Sequence, residues 1–156
     1  METTTKKASV HEILARSYSV YFVAVIVGML ASSYFGYQIV PDTMGEPIGI
    51  LFLVLGGLLV LWSQFTSNRF KGKMAQSLKV SDFECGPYRF SRQPTNIGLT
   101  LLVFGFAFLI NSLAVFVFAC AAFITSRRYI IKQEKLLEEK YGNLYVCYKR
   151  EVKRWF

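Results

Sequence analysis

Ile97-Gly98-Leu99-Thr100-Leu101-Leu102-Val103-Phe104-Gly105-Phe106-Ala107-Phe108-Leu109-Ile110, then Asn111-Ser112, then Leu113-Ala114-Val115-Phe116-Val117-Phe118-Ala119-Cys120-Ala121-Ala122-Phe123-Ile124-Thr125 are two uncharged apolar runs joined by two polar residues. Wound as helices that extend into their flanks, both approach the roughly 30 Å hydrocarbon core of a bilayer at about 1.5 Å per residue. Asn111-Ser112 suits the turn between them. The chain therefore reads as a helical hairpin that crosses a membrane and returns. The residues before Ile97 and those after Thr125 must then meet on one membrane face.

Two more apolar runs, Tyr18–Tyr37 and Ile48–Phe65, complete an expected all-α integral membrane bundle of about four transmembrane helices. Over half of the residues are hydrophobic, which excludes an ordinary soluble domain. The first run is too long for a signal peptide, and no small-x-small cleavage site follows at Tyr37-Gln38-Ile39. All 18 basic residues fall on one side of the four-helix arrangement. Lys6, Lys7 and Arg16 precede the first helix, Arg69 to Arg92 follow the second, and Arg127 to Arg154 follow the fourth. The connection Gln38–Pro47 has no Lys or Arg and carries Asp42 and Glu46. This places both termini in the cytoplasm. The net charge of +8 is read as topology and attraction to anionic headgroups, not as nucleic-acid binding.

Cys85, Cys120 and Cys147 are odd in number and lack metal-ligand spacing, and His11 is the only imidazole, so neither a disulfide framework nor a zinc site is expected. His11 itself reads as a helix-start residue. Pro41 and Gly45-Glu46-Pro47 break the chain between the first two helices, with Pro47 in the first turn of the second. Gly56-Gly57 offers a flat surface for close packing. Pro94 opens the third helix, which runs to Ile110. The fourth runs from Leu113 to Tyr141, with Gly142 as a left-handed stop. At about 40 Å it outruns the hydrocarbon, and its last turns project toward the cytoplasm. A final amphipathic helix over Leu144–Trp155 puts Tyr145, Tyr148, Val152 and Trp155 on one face, at the interface or over the site. The expected organisation is a single membrane domain over 1–156. Residues 1–16 form a cytoplasmic segment, 17–65 the first two helices, and 83–156 the hairpin and terminal helix.

The hairpin brings two polar blocks together, Gly86-Pro87-Tyr88-Arg89-Phe90-Ser91-Arg92-Gln93-Pro94 and Glu134 with Tyr141-Gly142-Asn143-Leu144-Tyr145. These blocks resemble the membrane-embedded methyltransferases that include isoprenylcysteine carboxyl methyltransferase and the phospholipid N-methyltransferases. Their signature is a Gly-Pro-Tyr-Arg-like turn, Arg-His-Pro-x-Tyr, a hairpin, a Glu-Glu pair and a Phe/Tyr-Gly-x-x-Tyr-x-x-Tyr ending. Gly86-Pro87-Tyr88-Arg89, Arg92, Pro94, Tyr141-Gly142, Tyr145, Tyr148, Val152 and Arg154 match it. Gln93 stands where His is usual, Asn96 where Tyr is usual, and Gln133-Glu134 where Glu-Glu is usual. The resemblance covers Phe83–Trp155.

It implies S-adenosylmethionine as methyl donor and a lipophilic acceptor reached from the bilayer. Arg92 and Glu134 become the catalytic pair. The implied cofactor contacts are Gly86, Pro87, Tyr88, Arg89, Arg92, Gln93, Pro94, Glu134, Tyr145 and Tyr148, with no metal. Arg92 or Arg89 would pair the donor's carboxylate and Glu134 its ammonium group, while Tyr88, Tyr145 and Tyr148 would face its adenine or sulfonium. Each residue also has a plainer reading: lipid-phosphate contacts for Arg89 and Arg92, a helical ion pair with the lysines on the Glu138 side or with Arg127 or Arg128 for Glu134, interfacial anchors for the tyrosines. Two other functions stay open. One is an NADPH-dependent membrane reductase, whose relatives end in a similar tyrosine pattern. The other is a catalytically lapsed interaction protein, which Gln93 and Asn96 would suit.

Overall fold

The computed structural model describes residues 10–71 and 85–155. Lys6, Lys7, Lys73 and Lys79, on which part of the charge pattern rests, lie outside them. The described residues form five α-helices and no strand: α1 (Val10–Phe35), α2 (Asp42–Lys71), α3 (Pro94–Leu109), α4 (Leu113–Tyr141) and α5 (Asn143–Glu151). A 3-10 turn, Gly86–Arg89, precedes α3. Three helical stretches are long and apolar enough to cross a membrane, Arg16–Phe35, Thr43–Arg69 and Leu113–Tyr141; α3 is apolar but shorter, at 16 residues. The outer faces of α1 and α2 expose Phe22, Ile26, Leu30, Leu51, Leu58 and Phe65, as lipid-facing surfaces do. The protein is a helical membrane bundle.

Lipid tails solvate leucine as well as a neighbouring helix does, so association in a bilayer depends on close van der Waals contact. The α2–α3 pair obtains it with glycine. A Cβ on Gly49 would lie 2.7 Å from the Leu109 nitrogen and 2.8 Å from the Gly105 oxygen, and one on Gly56 2.7 Å from the Gly98 oxygen. The two backbones therefore touch along the seam. Gly57 faces open space, so only the first member of the Gly56-Gly57 pair packs a helix. In the second close pair, α1 and α4, a Cβ on Gly28 would meet the Val115 Cα at 2.8 Å. Tyr21, Ala24, Val103, Ala119 and Ala122 fill the centre of the bundle between α1, α3 and α4.

The Asn111-Ser112 turn forms where the sequence placed it. Asn111 takes positive φ (53°), which Asn tolerates better than most residues. Its side-chain oxygen accepts hydrogen bonds from the Ile39 and Val40 nitrogens at 3.0 and 3.1 Å, and its amide donates to the Val40 oxygen at 2.8 Å. One side chain thus satisfies the α1–α2 connection. Ser112 caps α4 by accepting from the Val115 nitrogen.

The helix ends differ from expectation in several details. α2 starts at Asp42, so Pro47 lies inside the helix and beyond its first turn, where it withholds the N–H that would have bonded the Thr43 carbonyl. Gly142 ends α4 with positive φ, but its ψ of −134° lies outside the left-handed helical region. The terminal helix stops at Glu151; Val152 is extended, and Trp155 lies beyond the helix with its ring 5.4 Å from that of Phe123.

Candidate functional site

Pro94 occupies the first position of α3, as its missing N–H favours, and Arg92 sits just ahead of it. Glu134 lies on the inward face of α4, two turns beyond Ser126 with Ile130 between them. The hairpin returns the chain so that Arg92 Nη1 stands 3.3 Å from Glu134 Oε1, though 42 positions separate the residues. Both side chains are buried, at 9% and 2% exposure. Arg127 and Arg128 are exposed and take no part.

A second guanidinium completes the cluster. Arg154 Nη2 donates to Glu134 Oε2 at 2.7 Å, and its Nε lies 3.2 Å from each carboxylate oxygen. That contact raises the Arg154 pKa above its already high ordinary value, with burial opposing. Arg92, by contrast, is out of hydrogen-bond alignment: its buried Nε and Nη1 have no hydrogen-bond partner among the described residues. Two guanidiniums and one carboxylate leave one positive charge uncompensated.

The Gly86–Arg89 turn and α5 close over this cluster. Gly86 needs its positive φ, and a Cβ there would meet Thr66 Oγ1 at 2.6 Å. The Tyr148 hydroxyl donates to the Tyr88 carbonyl at 2.8 Å, tying α5 to the turn. The Tyr145 and Tyr148 rings, 5.8 Å apart, are buried with Val152 against Leu137 and Tyr141. Burial first, and then the Glu134 charge, push the Tyr145 hydroxyl far above the usual tyrosine pKa. Burial raises Tyr88 as well, with the Thr95 and Ser67 hydroxyls working the other way. Arg89 is exposed and stands outside the ionic cluster, and Pro87 is buried.

Gln93 and Asn96 pair with each other. Asn96 Nδ2 donates to Gln93 Oε1 at 2.9 Å, and the Ser17 hydroxyl of α1 donates to Asn96 Oδ1 at 3.3 Å. One turn further in, the Tyr21 hydroxyl bridges Thr100 and Ser126 at 2.9 and 3.0 Å. All six side chains are buried. The two departures from the methyltransferase signature thus form one neutral, hydrogen-bonded tract with α1. Ser17 and Tyr21 escape sequence reasoning because a helix that reads as lipid-facing gives no sign of what its buried stripe touches. Arg154 was legible only as part of the ending. No cluster of metal-ligating side chains occurs among the described residues, and Cys120 and Cys147 are free thiols.

The described residues form a helical membrane bundle with a buried Arg/Glu cluster at the mouth of a hairpin, and the comparison with known families gives its class. The phospholipid methyltransferase family profile matches residues 46–144, well over half of the chain, and the chain belongs to that family. No curated protein sequence and no solved structure matches it. The family match lends the reductase reading no support.

Proposed function

We propose that this protein transfers a methyl group from S-adenosylmethionine to a lipophilic acceptor at the cytoplasmic membrane face, with both termini on that side. The observation that carries the proposal is the buried Arg92 guanidinium with two donors, Nε and Nη1, that make no hydrogen bond among the described residues. An unsatisfied buried donor costs about 1–3 kcal/mol, and more when charged, so the site favours an anion. A carboxylate such as that of the cofactor's amino-acid portion fits, helped by the positive end of α3. Bound there, the cofactor supplies an electrophilic methyl group on sulfur.

The chain's own residues bind, orient and exclude water. Arg92 receives the carboxylate. Glu134, with both oxygens held by guanidiniums, fixes Arg92 and is less free to take the ammonium group. Tyr88, Tyr145 and Tyr148 form the aromatic wall, and the Gly86–Arg89 turn brings backbone close to the site. Alignment and desolvation then provide most of the rate.

The acceptor is best matched by a lipophilic acid, including a prenylcysteine-like carboxylate, or by a thiol. The Gln93–Asn96–Ser17 tract contains no imidazole to carry a proton near neutral pH, and such acceptors react as anions. The family's description favours a second reading, a phospholipid amine, which would need a base.

Equilibrium binding of labelled S-adenosylmethionine and NADPH to the purified protein is the test. Saturable binding of the first, weakened by Arg92→Gln, and none of the second are expected. Binding of NADPH alone would refute the proposal, and binding of neither would favour the lapsed reading. An acceptor panel of lipophilic acids, thiols and phospholipid amines separates the two acceptor readings.

A further inference from the structure

The segment after α5 is held at three points, two on the site loop and one on α4. The Arg92 backbone N–H donates to the Lys153 carbonyl at 3.1 Å, and the Ser91 hydroxyl donates to the Arg154 carbonyl at 2.9 Å. The Trp155 ring packs on Phe123. This strap delivers the Arg154 fork to Glu134. Arg154 is a third exposed, while Arg92 is buried, so the strap approaches the carboxylate from the solvent side and Arg92 from within.

We infer that Arg154 is a positioning residue: by occupying Glu134 it keeps the Arg92 guanidinium open for an anionic ligand. The inference rests on the proposal that Arg92 receives the cofactor's carboxylate. A carboxylate matches a guanidinium fork with two parallel hydrogen bonds. Left alone with Arg92, Glu134 would form that fork and consume the donors an incoming anion needs. Arg154 takes it instead through Nε and Nη2, and Arg92 is left with an ionic contact and no hydrogen bond from Nε or Nη1. The trio keeps the charge that an anion neutralises. A strap that only covered the site would need neither the charge nor the fork.

The test uses the full chain in lipid nanodiscs and two ligands, S-adenosylhomocysteine, which carries the carboxylate, and 5′-methylthioadenosine, which lacks the amino-acid portion. Arg154→Gln is expected to weaken the first by roughly 10- to 100-fold, the range of a charged hydrogen bond, and the second by less than about threefold. Arg154→Lys should recover part of the loss, because an ammonium holds Glu134 without the fork. Equal loss of both ligands, reproduced by Trp155→Ala, would mean that the strap acts by packing alone and would overturn the inference. In an Arg92→Gln background, Arg154→Gln should add less than about threefold; a further tenfold loss would mean that Arg154 touches the ligand itself.

If the wild type binds neither nucleoside, the cofactor reading fails and sulfate becomes the probe. Sulfate should then raise the melting temperature of the wild type more than that of Arg92→Gln. Arg154→Gln should behave as Arg92→Gln does, and a wild-type sulfate response in Arg154→Gln would sink the inference.

Discussion

Alanine at Gly49 and at Gly57 makes a controlled pair on one helix. Both changes remove a glycine from α2, and both gain the same helix propensity, up to about 1 kcal/mol. They differ in what the new methyl meets. At Gly57 nothing lies within 4 Å, whereas at Gly49 three backbone atoms of α3 lie at 2.7–2.9 Å. Backbone cannot rotate aside as a side chain can, so the helices must separate by several tenths of an ångström. A gap of 0.5–1 Å forfeits about a quarter to a half of each contact's attraction, and overpacking of this kind costs about 1–3 kcal/mol. Gly49→Ala should therefore be less stable than Gly57→Ala by that amount. By the scaling for chains of 150–250 residues this is about 2–12 °C in melting temperature, measured in one detergent. The double change Gly49→Ala/Gly105→Ala should cost less than the sum of its parts, because the first methyl already parts the seam. Equal melting of Gly49→Ala and Gly57→Ala would show that the backbones do not touch.

Glu134→Gln should destabilise the protein by about 3–5 kcal/mol, since it leaves the buried Arg92 charge unpaired, and adding Arg92→Gln should recover much of the loss in thermal melts. Burial holds the Tyr145 and Tyr88 hydroxyls above the ordinary value near 10, so the fold binds their protons more tightly than the unfolded chain does. Stability should be level below about pH 10 and fall above it, and Tyr145→Phe should flatten that fall in melts run across alkaline pH. In a background with Cys85 and Cys120 replaced, Cys147 should react with an impermeant maleimide only after permeabilisation. Thr43→Cys, with Cys147 also replaced, should react in intact cells, and the reverse pattern would invert the proposed topology.

The hairpin was legible because its signals are local: Pro94 starts α3, Asn111 and Ser112 turn the chain, and Gly142 stops α4. The meeting of Arg92 with Glu134 followed from the topology of that hairpin. The errors lie where distant parts of the chain decide. Tyr145, Tyr148, Val152 and Trp155 have helical spacing, yet the Lys153 carbonyl bonds the Arg92 nitrogen, and the chain leaves α5 to reach it. Nothing local distinguishes Gly56 from Gly57; α3 does. Gln93 and Asn96 looked like two separate losses, and their mutual hydrogen bond, three residues apart at the start of α3, turns them into one substitution. The longer α2 is the remaining case, since Pro41-Asp42 is as good a helix start as Glu46-Pro47.

The brevity of α3 has a consequence for the bilayer around it. Its 16 residues reach about 24 Å, some 6 Å less than an average hydrocarbon thickness of about 30 Å. Such hydrophobic mismatch is absorbed by thinning the leaflet or by drawing the helix end below the headgroups, at a cost of fractions of a kcal/mol per ångström. The end in question carries Ser91, Arg92 and Gln93. Each adjustment brings the depth of the proposed site closer to that of the lipid chains, so in the proposed reaction a lipophilic acceptor reaches the donor held at Arg92 while its tail stays in oil. Membrane thickness thereby becomes a variable of the site itself, and bilayers of graded acyl length should grade its ligand affinity.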